Sequence, residues 1–133
     1  MDDVYQTNPV RFIEHHEGDT ERVAFVPLGI DGEKGHAVIY QADLKMLESI
    51  GLSLKWNRHS RTGTVFAPAH KASGGNVQVA RVLLDLGAGQ NVTYLNGDPS
   101  DLRRTNLAVV KGNAVRRDRD YLTSPDRRKN WGG

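Results

Sequence analysis

The segment from Asn91 to Leu107 constrains the fold of this chain more than any other stretch of its sequence. It reads NVTYLNGDPSDLRRTNL, so a short apolar strand runs into a polar turn and then into a basic stretch. An asparagine–glycine pair favours a tight turn, because glycine adopts positive φ without strain. Aspartates in such a turn accept backbone N–H groups and cap the element after the turn. The residues predicted to hold this loop in shape are Asn96, Gly97, Asp98, Asp101 and Asn106.

Strand-like segments rich in β-branched and aromatic residues alternate with turn residues along the rest of the chain. The strands predicted in this way cover residues 10–16, 22–28, 36–40, 52–58, 63–69 and 92–95.

Two helices are predicted from apolar residues that repeat at helical intervals. One covers 42–50, with Gly51 placed for a left-handed C-terminal cap, and the other covers 77–86. A further, basic helix is expected between Ala108 and Tyr121, starting near Lys111 or Gly112. Residues 123–133 have no apolar pattern and are expected to form a flexible basic tail.

The bulk composition bounds the class of protein. A chain of 133 residues is the size of one ordinary domain, and 38% hydrophobic with 26% charged residues is typical of a globular protein. The acidic N-terminus has no apolar segment behind it that would make a secretory signal. No apolar run approaches the roughly 20 residues that span a bilayer, and cysteine is absent. We therefore expect a cytoplasmic protein without a membrane partner; its oligomeric state does not follow from the sequence.

Charge is distributed unevenly along the chain. Residues 1–48 carry 10 acidic and 4 basic side chains, residues 49–102 carry 3 and 5, and residues 103–133 carry 3 and 9. The net charge thus runs from −6 through +2 to +6. Such an asymmetry indicates a basic surface suited to a polyanion, although a solvated basic tail without a partner has the same composition.

The segment 92–107 resembles the core of the HNH homing endonucleases, which reads Val-Asp-His-Ile-Asn-Gly-Asp and, a few residues later, Asn-Arg-Arg-Ser-Asn-Leu. The weaker upstream likeness extends it to about residues 35–115. The resemblance implies an α+β fold in which a small antiparallel β-rich N-terminal part precedes a ββα-metal core. It divides the chain into acidic strands at 1–34, an HNH-like domain at 35–122 that packs with them, and the tail.

The resemblance also implies that catalysis has been lost. Thr93 stands where the family has its metal-binding Asp, and Tyr94 where it has its general-base His; Asn113 matches the helix-borne Asn ligand. A neutral hydroxyl is a poor metal ligand, and a phenol with a pKa near 10 is a weak base. We expect no bound metal and no cofactor, with these three positions vestigial.

The leading hypothesis is a non-catalytic protein of phage or bacterial type that binds double-stranded DNA as a regulator or accessory factor. The residues expected to contact its phosphates are Arg103, Arg104, Lys111, Arg116, Arg117 and Arg119. One alternative is a protein-binding inhibitor or adaptor that uses the acidic N-terminal part. Another is a metal-dependent HNH nuclease with an unusual ligand set. The acidic side chains of the first alternative are Glu14, Glu17, Asp19, Glu21, Asp31 and Glu33.

Overall fold

The computed structural model describes residues 11–13, 21–70 and 75–122, with the backbone alone at residues 11–13. These residues form three small antiparallel sheets and two α-helices, with a β-rich N-terminal part ahead of the first helix. The predicted α+β class is therefore confirmed. The division at residues 34 and 122 stays a prediction, and the tail at 123–133 lies outside the described residues.

The strands are short, and each helix directly follows a strand. The elements are β1 (Arg11–Ile13), β2 (Val23–Pro27), β3 (His36–Tyr40), α1 (Gln41–Ser49), β4 (Asn57–Arg58), β5 (Val65–Pro68), β6 (Asn76–Gln78), α2 (Val79–Leu84), β7 (Gln90–Tyr94) and β8 (Leu107–Lys111). Neither helix is long and apolar enough to cross a membrane, and the described ranges contain no other candidate span.

The first sheet has the order β1-β2-β3, with Phe25 opposite Val38. The β2 strand is mostly buried, and helix α1 leaves directly from β3 with Leu44 and Leu47 turned into the core. Gly51 has φ 96°, as expected for a residue that ends a helix in the left-handed region. The predictions for this part of the chain are confirmed where the residues are described.

The second sheet has the order β4-β5-β6, and β6 runs straight into α2. The helix predicted over 77–86 is confirmed at Val79–Leu84, whereas Asn76–Gln78 pairs with β5 instead. Trp56, just ahead of β4, belongs to the buried core and is 2% exposed. Its carbonyl accepts the backbone N–H of Gly29 at 3.0 Å, so both sheets share one core.

The third sheet is a hairpin of β7 and β8, with Val92 opposite Val109 and Tyr94 opposite Leu107. The basic helix predicted between residues 108 and 121 is wrong, because Leu107–Lys111 is a strand and the later Asp118–Tyr121 is a 3₁₀ turn. Valines at 109 and 110 suit a strand, and β7 supplies the pairing partner. The expected ββα-metal core is therefore wrong: its hairpin is present, but a 3₁₀ turn stands where its α-helix was expected.

The loop between β7 and β8 is joined to the first sheet. The backbone N–H of Val38 donates to the Ser100 carbonyl at 2.9 Å, and the Leu102 N–H donates to the Val38 carbonyl at 2.7 Å. Leu102 is fully buried in the common core. The loop is therefore a fixed part of the structure and not a free connection.

Candidate functional site

The loop 96–106 is held in shape by side chains that form hydrogen bonds with its backbone N–H and C=O groups. Asn106 accepts the Asn96 backbone N–H at 2.8 Å and donates its amide to the Asp101 carbonyl at 3.0 Å. The Asn96 amide donates to the Asp101 carboxylate at 2.9 Å. Asp98 accepts both the N–H and the hydroxyl of Ser100. Gly97 turns the chain at φ 79°. All five predicted loop residues lie together in this network.

Asp101 is the buried charge of the loop. Arg103 donates to both of its carboxylate oxygens, from Nε at 2.9 Å and from Nη2 at 2.7 Å. Burial alone would raise the pKa of the Asp101 carboxyl. The hydrogen bonds from the side chain and backbone of Arg103 and from Asn96, together with the Arg103 charge, outweigh burial and hold that pKa below its ordinary value.

This lowered pKa makes stability depend on pH in a specific direction. A carboxyl with a depressed folded-state pKa stabilises the fold fully above its ordinary pKa of about 3.9, and the contribution is lost as pH falls through the folded value. We expect the free energy of unfolding of the wild type to fall toward that of Asp101→Asn as the pH falls from about 5 through the lowered pKa of Asp101. Urea unfolding of both proteins at several pH values measures this. If the free energies of unfolding of the two proteins changed equally with pH, the expectation would be contradicted.

The three vestigial positions do not form a joint site. Neighbouring residues on a strand point to opposite faces, so Thr93 is exposed on one face while Tyr94 is half-buried on the other. Burial raises the pKa of the Tyr94 hydroxyl, against the effect of the Gln78 amide that donates to it at 3.1 Å. Asn113 is exposed beyond β8. Within the described residues, no group of three or more His, Cys, Asp or Glu side chains is placed to hold a metal ion.

Five of the six predicted phosphate-binding cations are engaged within the protein. Arg103 pairs with Asp101, as described above. Arg104 pairs with Asp43 at 3.0 Å. Arg117 contacts the carboxylates of Asp85 and Asp120, each at 2.8 Å.

The remaining two of these arginines bond mainly to carbonyls and an aromatic ring. Arg119 donates to the Val82 carbonyl at 2.8 Å. Arg116 donates to the Asn76 carbonyl and lies 4.4 Å from the centre of the Tyr121 ring. Lys111 differs from all five, because among the described residues it has neither a salt bridge nor a side-chain hydrogen bond.

The sequence did not single out Arg81, although it is the most enclosed arginine in the described structure. Its Nε donates to Asp118 at 3.0 Å, and both residues are at most 5% exposed. Its two terminal nitrogens donate to backbone carbonyls, among them those of Gln90 and, at 2.7 Å, Arg116. Asp118 also accepts the Gln78 backbone N–H at 2.8 Å. A cation inside the apolar run VARVLL was the signal for such a buried partner.

The fold and its loop network thus define a small α+β domain in which Arg81 and five arginines of the C-terminal third bond to carboxylates and carbonyls of the same chain. No family model matches the chain. No solved structure matches it either. The chain is, however, 36% identical over 107 residues to human protein phosphatase 1 regulatory subunit 27. The alignment covers 71% of this chain and 70% of the relative. The chain belongs to the family of this regulatory subunit.

This relationship overturns two predictions. The assignment to a degenerate HNH endonuclease of phage or bacterial type is wrong, because the relative is a human phosphatase regulatory subunit. The DNA-binding function that followed from it is wrong for the same reason. Most of the basic residues of the C-terminal third that the structure describes are occupied within the molecule, which accounts for a charge pattern that had suggested a polyanion.

Proposed function

We propose that this protein is a regulatory subunit that acts by binding another protein, and that its partner is a protein phosphatase. The observation that carries the proposal is the 36% identity over 107 residues to a subunit named for regulating protein phosphatase 1. The proposal takes up the protein-binding alternative considered from the sequence. It needs no catalytic group in this chain, because a regulatory subunit acts by occupying a surface of its partner.

The acidic N-terminal part offers one contact surface for such a partner. Glu14, Glu17 and Asp19 lie outside the described residues, but Asp31 and Glu33 are exposed on the turn between β2 and β3. Ile30 beside them is 76% exposed. Neither carboxylate has a salt bridge in the described part of the chain, so both are available to a basic partner surface.

Direct titration tests the proposal. The purified full chain is titrated calorimetrically into the catalytic subunit of human protein phosphatase 1, and dephosphorylation of a phosphoprotein substrate is followed in parallel. We expect saturable one-to-one binding with a Kd of about 10 µM or tighter, together with a change in the phosphatase rate. Absence of binding at concentrations tenfold higher would overturn the proposal.

The contribution of the acidic turn is measured in the same assay with a double variant. Asp31→Asn with Glu33→Gln removes both charges, and asparagine tolerates the positive φ of 55° at residue 31. We expect the Kd to rise about three- to tenfold at low salt and the effect to shrink as salt screens it. Glu48→Gln, on the exposed side of α1, is the matched control and should bind as the wild type does.

A further inference from the structure

The outer edge of β8 carries backbone groups to which none of the residues at 11–13, 21–70 and 75–122 bonds. The Leu95 N–H donates to the Asn106 carbonyl at 2.8 Å, and the Gly112 N–H donates to the Gly89 carbonyl at 3.1 Å. Both pairs continue the register of the hairpin. Because hydrogen-bonded and non-hydrogen-bonded pairs alternate along an antiparallel ladder, they show which residues of β8 bond to β7. Residues 108 and 110 therefore bond to β7, whereas the N–H and C=O groups of Val109 and Lys111 point outward. No described residue bonds to them.

The opposite edge of the hairpin is already occupied. On β7, the Gln90 carbonyl accepts a guanidinium nitrogen of Arg81. The Val92 N–H is bonded to the Asn91 side chain at 2.9 Å, and helix α2 packs against the strand. As far as the described residues go, the hairpin thus has one covered edge and one open edge, and the edge that offers itself to an added strand is β8.

Apolar side chains accompany the open edge. Val109 is 50% exposed, and Val110 is 41% exposed on the other face. An exposed edge strand with apolar side chains is a template for another strand, which proteins usually shield by pairing or by charge. Here the described structure places one charge on the edge, at Lys111, and leaves it without a carboxylate.

The charge at Lys111 decides which kind of strand fits. A second copy paired antiparallel about Val109 would set Lys111 against Leu107, so its ammonium would gain no counter-charge. An extended segment with a carboxylate opposite Lys111 and an apolar residue opposite Val109 satisfies both positions. The lysine contrasts with the neighbouring arginines, whose described bonds lie within the protein.

We propose that the β8 edge binds an extended segment of the partner protein by strand addition, and that this segment carries an apolar residue opposite Val109 and an acidic residue opposite Lys111. The proposal rests on the proposed function for the identity of the partner and adds the surface and the chemistry that recognises it.

A proline at position 109 tests the edge without disturbing the hairpin. Val109→Pro removes an outward N–H that β7 does not use, and proline is tolerated on the free side of an edge strand. Val109→Thr is the matched control, since it keeps the N–H and a β-branched side chain. In the titration against the protein phosphatase 1 catalytic subunit, we expect Val109→Pro to weaken binding at least tenfold and Val109→Thr to stay within threefold. Wild-type affinity in a folded Val109→Pro protein would overturn the proposal.

If Val109→Pro does not fold, amide hydrogen exchange of the wild-type protein tests strand addition at β8 instead. In the free chain the amides of Val109 and Lys111 should exchange faster than those of Ala108 and Val110, which lie in the ladder. Binding of the phosphatase should slow exchange at Val109 and Lys111 at least tenfold. Unchanged exchange at both amides in a saturated complex would refute strand addition.

A random dodecapeptide display library, panned on the full chain, separates this proposal from the proposed function. If the phosphatase does not bind, the proposed function fails, while peptides that bind the wild type and Val109→Thr but not Val109→Pro still support the edge. Failure to enrich any peptide, or equal binding to Val109→Pro, would overturn it. A wild type that sediments as a dimer and a Val109→Pro protein that sediments as a monomer would assign the edge to a second copy instead and also overturn it.

Discussion

Replacing Arg81 with leucine is expected to lower the free energy of unfolding by about 3–5 kcal/mol. The change leaves the Asp118 carboxylate with most of its surface covered and without its nearest cation, because Arg116 approaches it only to 3.6 Å. It also takes donors away from the backbone carbonyls of Gln90 and Arg116. Removing one partner of a buried ion pair costs far more than the pair itself contributes, because the remaining charge stays out of water.

The measurement is urea unfolding at neutral pH, where a loss of 3 kcal/mol lowers the midpoint by about 2 M. Arg117→Gln is the matched control, since Arg117 also pairs with carboxylates but its side chain is 46% exposed. Exposed pairs contribute at most about 1 kcal/mol, so this control should remain close to the wild type. An Arg81→Leu protein as stable as Arg117→Gln would show that the buried pair does not support the fold.

Replacing Trp56 with alanine is expected to cost a similar amount, about 3–5 kcal/mol, for a different reason. The indole is 2% exposed at the centre of the common core, and its Nε1 donates to the Ser53 carbonyl at 2.7 Å. Alanine leaves a cavity lined by several elements. These elements cannot move together to fill it, so the cost of the cavity remains. Trp56→Phe keeps much of the volume and loses the hydrogen bond, so it should cost less than half as much. Equal losses for alanine and phenylalanine would mean that the hydrogen bond, and not the packing, carries the effect.

The elements built on local patterns were predictable from the sequence. The strand at His36–Tyr40 and the helix after it follow from β-branched residues and from leucines at helical spacing, and Gly51 marks the end of that helix. The turn at Asn96-Gly97 follows from the preferences of its two residues. These features depend on neighbours within about ten residues, so one sequence carries enough information to place them.

The features decided by distant neighbours were not predictable. Residues 108–111 became a strand because β7 was available as a partner, and residues 76–78 joined β5 for the same reason. The interior position of Arg81 depends on Asp118, 37 residues away. The basic C-terminal third suggested an outward-facing binding surface, yet most of its described guanidinium groups bond within the molecule. Some bond to near neighbours, as Arg103 does to Asp101, but Arg104 and Arg119 bond to Asp43 and Val82, which no local pattern reveals.

The loop between β7 and β8 also affects the order in which this protein can fold. The Tyr40 and Thr105 hydroxyls meet at 3.1 Å across 65 residues of chain, and Arg104 reaches Asp43 across 61. Closing such long loops is entropically unfavourable before other contacts exist. The hairpin can assemble from near neighbours alone, whereas its attachment to the first sheet waits until both segments are structured. We therefore expect the loop to dock onto β3 late on the folding pathway.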